Sequence, residues 1–246
     1  FHVESSKENY TIERIFKYIQ QSGKRCYIAF DEFQQITNYP ETGLEALLRS
    51  QIQFTDNAYF VFAGSEQHLM SEIFLSAQRP FYLASQIMNI NVIDEKKYRD
   101  FANTMFGIQG REISEEAFRQ LYTVVDGQTW YVQTILHQLY TMSEEVLSTE
   151  TVNKAIDIIL NKFSTAFSNY YLSITNNQAM LLRAIAKEGC VNEPLAQNFM
   201  TKHHLPAVSS TRQALNALEK KQFIYKTDAG YIVYDRFLGL WLRNRI

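Results

Sequence analysis

Two adjacent carboxylates, Asp31 and Glu32, follow directly on the apolar run Cys26-Tyr27-Ile28-Ala29-Phe30. The run is short, is preceded by Gly23-Lys24-Arg25, and suits a strand buried on both faces in the middle of a parallel sheet. The C-terminal end of such a strand is where α/β folds place ligands. A carboxylate there can hold Mg²⁺ through its water shell, and a second can orient and activate a water for attack on a phosphate. The same residues also read as a buried strand followed by an Asp-Glu turn.

A second run has the same design. Ala58-Tyr59-Phe60-Val61-Phe62-Ala63 ends in Gly64-Ser65-Glu66. A hydroxyl at Ser65 would lie beside Glu32 if the two runs pair in parallel, although Gly-Ser is also a common turn dipeptide. Further on, Arg79-Pro80-Phe81-Tyr82 offers a guanidinium, which near a phosphate can stabilise transition-state charge. It also reads as a surface arginine before a proline.

The elements that must position these groups follow from periodicity. Thr11 to Gln21 and Glu41 to Phe54 have helical spacing, and a helix over about 66–74 follows the second run. The order helix, strand, helix, strand, helix favours a parallel sheet with right-handed crossovers. Ile87 to Ile93 is a third strand candidate. After Asp94 the strand signals stop. Asp94, Ser114 and Ser148 or Thr149 are N-cap residues for helices reaching about Phe106, Asp126 and Tyr170, and Thr129 to Ser143 is a further helix. The last segment reads as helices over 178–187, 193–202 and 209–221, then two strands around Asp228-Ala229-Gly230 and a closing helix over 235–244. Three helices followed by a β-hairpin describe a winged helix. The expected organisation is α/β followed by all-α. Residues 1–93 form part of a parallel-sheet core, 94–172 a helical lid, and 173–246 a winged-helix domain.

Length and composition fit this organisation. The chain has 246 residues, 46% hydrophobic, which is enough for two or three small domains and excludes a disordered chain. No apolar run is long enough to span a membrane, and nothing resembles a signal peptide. The two cysteines, Cys26 and Cys190, make no disulfide framework, so a reducing cytoplasm is the expected location. The net charge of -2 is unevenly spread. Residues 1–177 carry 14 Lys+Arg against 21 Asp+Glu, while residues 178–246 carry 10 against 5. A basic C-terminal module on an acidic body raises the prospect of a polyanionic partner, though solvated lysines give the same excess.

These features together resemble the AAA+/STAND-like P-loop ATPases, in particular the archaeal-type ATPase group of prokaryotes. The resemblance covers nearly the whole chain. It is carried by Tyr27-Ile28-Ala29-Phe30-Asp31-Glu32, which matches Walker B, by Phe60-Val61-Phe62-Ala63-Gly64-Ser65, which matches the sensor 1 strand, and by Arg79-Pro80-Phe81-Tyr82. The closing stretch Tyr231–Trp241 looks like the end of the group's winged helix. By this resemblance Asp31 holds Mg²⁺–ATP, Glu32 polarises the attacking water, and Ser65 reaches the γ-phosphate or that water. Arg79 is the arginine-finger candidate, but the further arginine such families often carry is replaced by Leu83-Ala84-Ser85. The lid site that touches nucleotide through Gly-x-Pro corresponds to Gly127-Gln128-Thr129, where the proline is absent and Thr129 is left to cap the helix.

The pattern Gly-x-x-x-x-Gly-Lys-Ser/Thr occurs nowhere in the sequence. Ser22-Gly23-Lys24-Arg25 has Arg25 where Ser or Thr is needed and leads from helix to strand. The chain also begins Phe1-His2-Val3-Glu4, without Met. The expectation is an ATPase that here lacks its N-terminal P-loop portion and that alone binds ATP poorly or not at all.

Other chemistries find no support. His2, His68, His137, His203 and His204 have no partners at zinc-ligand spacing, and no Gly-x-Ser-x-Gly elbow occurs. The winged helix has a separate option. Ser209, Ser210, Arg212 and Gln213 would begin a recognition helix, with Arg212, Lys220, Lys221 and Lys226 facing phosphates. The expected function is an ATP-binding, ATP-hydrolysing switch. The alternatives are a winged-helix regulator of duplex DNA on a scaffold ATPase core, or an inactive module that binds partner proteins or itself.

Overall fold

The computed structural model describes the backbone of residues 5–245 and the side chains of residues 11–66 and 69–244. His2 and the start Phe1-His2-Val3-Glu4 lie outside the described residues, as does the side chain of His68. The chain divides into two compact units, Phe1–Ile90 and Asn91–Ile246.

The first unit runs α1 (Ser5–Gln21), β1 (Cys26–Phe30), α2 (Leu44–Gln53), β2 (Ala58–Phe62) and α3 (Gln67–Leu75), with a 3-10 turn over Phe33–Asn38. The helix expected from Glu41 starts only at Leu44, because Gly43 takes a left-handed conformation at its N-cap. β1 and β2 pair in parallel, Cys26 opposite Ala58 through Phe30 opposite Phe62. One face of this two-stranded sheet meets a core of Phe16, Phe33, Leu48, Ile73, Phe74 and Phe81. Phe33 sits at its centre, with ring centroids 4.5 Å from Phe62 and 5.3 Å from Phe81.

The strands are not buried on both faces, as the apolar run suggested. Burial alternates along each, and Tyr27, Tyr59 and Val61 point outward at 73%, 53% and 58% exposure. The reason is architectural, since the described elements of this unit pack on one face and leave the other bare. The third strand expected over Ile87–Ile93 is also absent. This stretch has no ladder partner among the described residues, its apolar side chains are exposed, and the boundary between the two units falls within it. A strand needs a neighbour to satisfy its backbone, and β propensity alone does not supply one.

The second unit contains α4 (Glu95–Gly107), α5 (Glu115–Val124), α6 (Thr129–Thr141), α7 (Thr149–Leu172), α8 (Asn176–Glu188), α9 (Gln197–Lys202), α10 (Val208–Lys220), β3 (Ile224–Thr227), β4 (Gly230–Val233) and α11 (Arg236–Arg245). Three predicted caps are in place: Asp94, Ser114 and Ser148 accept from the backbone N–H of Lys97, Ala117 and Thr151. Thr175 and Gln178 add a reciprocal capping box at α8. α7 buries Val152, Ala155, Ile156, Ile159 and Leu160, the stripe expected of an amphipathic helix.

β3 and β4 form an antiparallel hairpin, and Val191 adds a short bridge to Tyr231. With α8, α9 and α10 this is a winged-helix arrangement. α9 starts four residues later than the sequence suggested, because 193–196 close a turn through Ala196 N–H to the Glu193 carbonyl. One continuous core joins Phe118, Val132 and Ile156 of the helical segment to Leu181, Leu218 and Phe237 of the winged helix. No helix among the described residues is long and apolar enough to cross a membrane.

Candidate functional site

The parallel register carries the two strands to a common end. Beyond Phe30 the ladder continues for one step on each side: Ala63 N–H donates to the Phe30 carbonyl at 2.8 Å, and Phe33 N–H to the Ala63 carbonyl at 2.9 Å. Asp31 and Glu32 are held outside that ladder. Glu32 has φ 48 and ψ 43, a left-handed conformation that a residue with a Cβ adopts at a cost. Its backbone N–H is satisfied by Asp31 Oδ1 at 2.9 Å. The turn presents both carboxylates to solvent.

Ser65 meets them from the other strand, its Oγ donating to Glu32 Oε2 at 3.0 Å. The same Oε2 accepts from the amide of Gln34, a residue only 1% exposed. Both described donors thus fall on one carboxylate oxygen. Gly64 makes room for this arrangement. A Cβ there would overlap Gln34 Oε1 and lie 2.6 Å from Met70 Sδ. The sequence reading singled out Asp31, Glu32 and Ser65 but not Gln34. The available signal was a polar residue immediately after the buried Phe33.

Arg79 is engaged elsewhere in the first unit. It pairs with Glu45 at 2.5 Å and approaches Glu72 at 3.8 Å. Burial raises the Glu45 carboxyl above the usual carboxylate range, and the Arg79 guanidinium pulls it partly back.

Gly127 and Thr129 belong to the second unit. Asp126 and Gly127 are both left-handed, at φ 53 and 65, and end α5. A Cβ on Gly127 would lie 2.5 Å from the Tyr122 hydroxyl oxygen, so this turn packs directly on an aromatic ring. Thr129 does not cap α6. The cap is Gln128, whose side chain makes no capping bond, and Thr129 is the first helical residue, exposed. The reason is that Gln128 has the extended backbone and its carbonyl takes the first helical hydrogen bond, from Val132 at 3.0 Å. Asp126 accepts an ion pair from Arg236 at 3.0 Å, which ties this turn to the start of α11.

As a cation site, Asp31 has one oxygen engaged by Glu32 N–H and is open to solvent. That fits a single carboxylate holding hydrated Mg²⁺ on a nucleotide, since Mg²⁺ keeps several waters and takes few protein ligands. The described residues contain no cluster of three or more His, Cys, Asp or Glu suited to a metal.

On α10, Ser209, Arg212, Gln213 and Lys220 are exposed, as are Lys221 and Lys226 beyond it. Thr211 is buried and donates to the Pro206 carbonyl at 3.1 Å.

Residues 165–244 match the family described as a probable winged helix domain. No curated protein matches the sequence. Among solved structures, the Walker-type ATPase of Pyrococcus abyssi is similar over 96% of this chain and 67% of its own, with TM-score 0.63 and 17% identity. The RuvB Holliday junction branch migration motor of Thermotoga maritima aligns over 93% of this chain and 72% of its own. Its TM-score is 0.49 and its identity 14%. At these identities the likeness is one of fold: mostly helical, with a small parallel sheet, and ending in a winged helix.

Proposed function

We propose that this protein is an ATP-binding, ATP-hydrolysing switch of the AAA+/STAND type. In this reading Asp31 is the Mg²⁺–ATP ligand, Glu32 the base that orients water, and Ser65 the polar residue beside it. What supports it is the hydrogen bond between Ser65 Oγ and Glu32 Oε2, 3.0 Å long, across the C-terminal ends of two parallel strands. Strand ends of this kind are where α/β folds bind their ligands. Bound Mg²⁺–ATP would supply the electrophilic γ-phosphate. Glu32 then has one oxygen anchored and the other free to take a proton from water. Residues 1–246 hold no Gly-x-x-x-x-Gly-Lys-Ser/Thr pattern, so the reading requires a phosphate cradle from beyond them. The chain by itself is expected to bind ATP weakly.

Gly127 and Thr129 are proposed as the lid's contact with nucleotide, and Arg79 as a transition-state cation that must first leave Glu45. Nucleotide would clamp the core against the lid, and hydrolysis would release the winged helix.

The test is substitution in the complete protein. Glu32→Gln keeps the shape and loses the base, so ATP binding should persist while turnover falls by about a hundredfold or more. Asp31→Ala should weaken Mg²⁺-dependent ATP binding. Wild-type turnover in Glu32→Gln would remove Glu32 from the chemistry. A second reading, a DNA-binding regulator on a scaffold core, draws on the exposed Arg212, Gln213 and Lys220 of α10.

A further inference from the structure

Gln34 is a buried polar residue beside the candidate site to which the proposed chemistry gives no role. It is 1% exposed and lies directly after Phe33, the centre of the first unit's core. Its Nε2 donates to Glu32 Oε2, while its Oε1 is buried without a hydrogen-bond partner. An unpaired buried acceptor costs stability, and an apolar side chain of the same shape would remove that cost. Packing therefore does not account for a glutamine here. The amide orientation is set by the carboxylate, because the flipped amide would bring two oxygens together.

Three features converge on the same carboxylate. The Glu32 backbone is left-handed, at φ 48, a strained conformation that its surroundings must hold. Gly64 leaves the space that Gln34 Oε1 occupies. Ser65 and Gln34 both donate to Oε2 and leave Oε1 free of described partners. A base held by one oxygen has its other lone pairs fixed in direction, which is what positioning a water requires.

We propose that Gln34 is a positioning residue for Glu32: its buried amide anchors one carboxylate oxygen so that the other faces the attacking water. The inference rests on the reading of Glu32 as the base. It assigns to Gln34 no contact with nucleotide.

The experiment uses the complete protein with three variants, Gln34→Leu, Gln34→Met and Glu32→Gln, and the double variant of Gln34→Leu with Glu32→Gln. Gln34→Leu should melt at or above the wild-type temperature, keep KM and ATP affinity within about twofold, and lose about tenfold or more in kcat. Gln34→Met should behave alike. In the Glu32→Gln background, Gln34→Leu should change turnover no further, because the two act as a unit. A merely structural role predicts the opposite pattern, in which stability, KM and kcat worsen together, and that result overturns the proposal. So does wild-type kcat in both Gln34 variants, or failure of both to fold. Failure of the underlying reading is distinguishable, since it shows as wild-type turnover in Glu32→Gln whatever Gln34 does.

Discussion

Glu32 and Gly127 both occupy left-handed backbone, and the two differ in what pays the conformational cost. At Glu32 a residue with a Cβ takes φ 48 while its N–H is held by Asp31 Oδ1 and its carboxylate by Ser65 and Gln34. The local hydrogen bonds over-determine the strained turn, a pattern concentrated at functional sites. At Gly127 the same backbone region is taken by the residue type that tolerates it, and a side chain would also strike the Tyr122 ring. Tyr122 cannot easily yield, because its hydroxyl donates to the Ile93 carbonyl at 2.8 Å. Gly127→Ala should therefore destabilise the second unit by roughly 2–4 kcal/mol, combining left-handed strain with overpacking. Urea unfolding followed by far-UV circular dichroism would measure it, and a change under about 0.5 kcal/mol would show that the turn relaxes freely.

Among the elements, those fixed by local chemistry were legible in the sequence. The caps Asp94, Ser114 and Ser148 stand where polar residues precede periodic apolar ones, and β1 and β2 are bounded by Gly, Asn and acidic residues. Misreadings arose where tertiary context decides. Ile87 to Ile93 has strand-forming residues and no partner, and Thr129 lost the cap to Gln128 through backbone geometry. Of the candidate site, the pairing of Glu32 with Ser65 could be anticipated from two runs of like design, whereas Gln34 lies beyond both runs and carries no such signal. Arg111 is the clearest case of a role with no local signal. Its guanidinium reaches the carbonyls of Leu139 at 3.3 Å, Tyr140 at 2.8 Å, Met142 at 2.9 Å and Glu144 at 3.1 Å, so it caps the C-terminal end of α6 from about 30 residues away. Arg111→Met keeps the stem and removes these donors. It should cost about 2 kcal/mol, on the scale of charge-assisted hydrogen bonds. Hydrogen exchange should show the last turn of α6 opening faster while the amides of α8 keep their protection; unchanged exchange at α6 would mean that water replaces the guanidinium without loss.

Charge is segregated on the scale of the whole molecule, with 10 basic against 5 acidic residues over 178–246 and 14 against 21 over 1–177. Within the basic part, the acidic residues are partly spoken for: Glu188 pairs with Lys202 and His203, each at 2.7 Å. Arg236 is also committed, to Asp126, the Val233 carbonyl and the Tyr225 hydroxyl, and is only 9% exposed. The cations left toward solvent around the winged helix include Arg212 and Lys220 on α10, Lys221 just past it, and Lys226 on β3. A helix offering an arginine, an amide and a hydroxyl on one exposed face can track a phosphate backbone and reach base edges. If the winged helix reads duplex DNA, log–log plots of affinity against salt should fall with a slope of roughly -0.9 for each phosphate neutralised. Arg212→Ala should lower that slope in magnitude by about one if the arginine contacts a phosphate, or leave it unchanged and relax sequence preference if it contacts a base. Gel shifts of the complete protein on duplexes at low and moderate salt distinguish these outcomes. Absence of any retarded band at low salt would assign the exposed face of α10 to protein contacts, with the positive excess acting only through solvation.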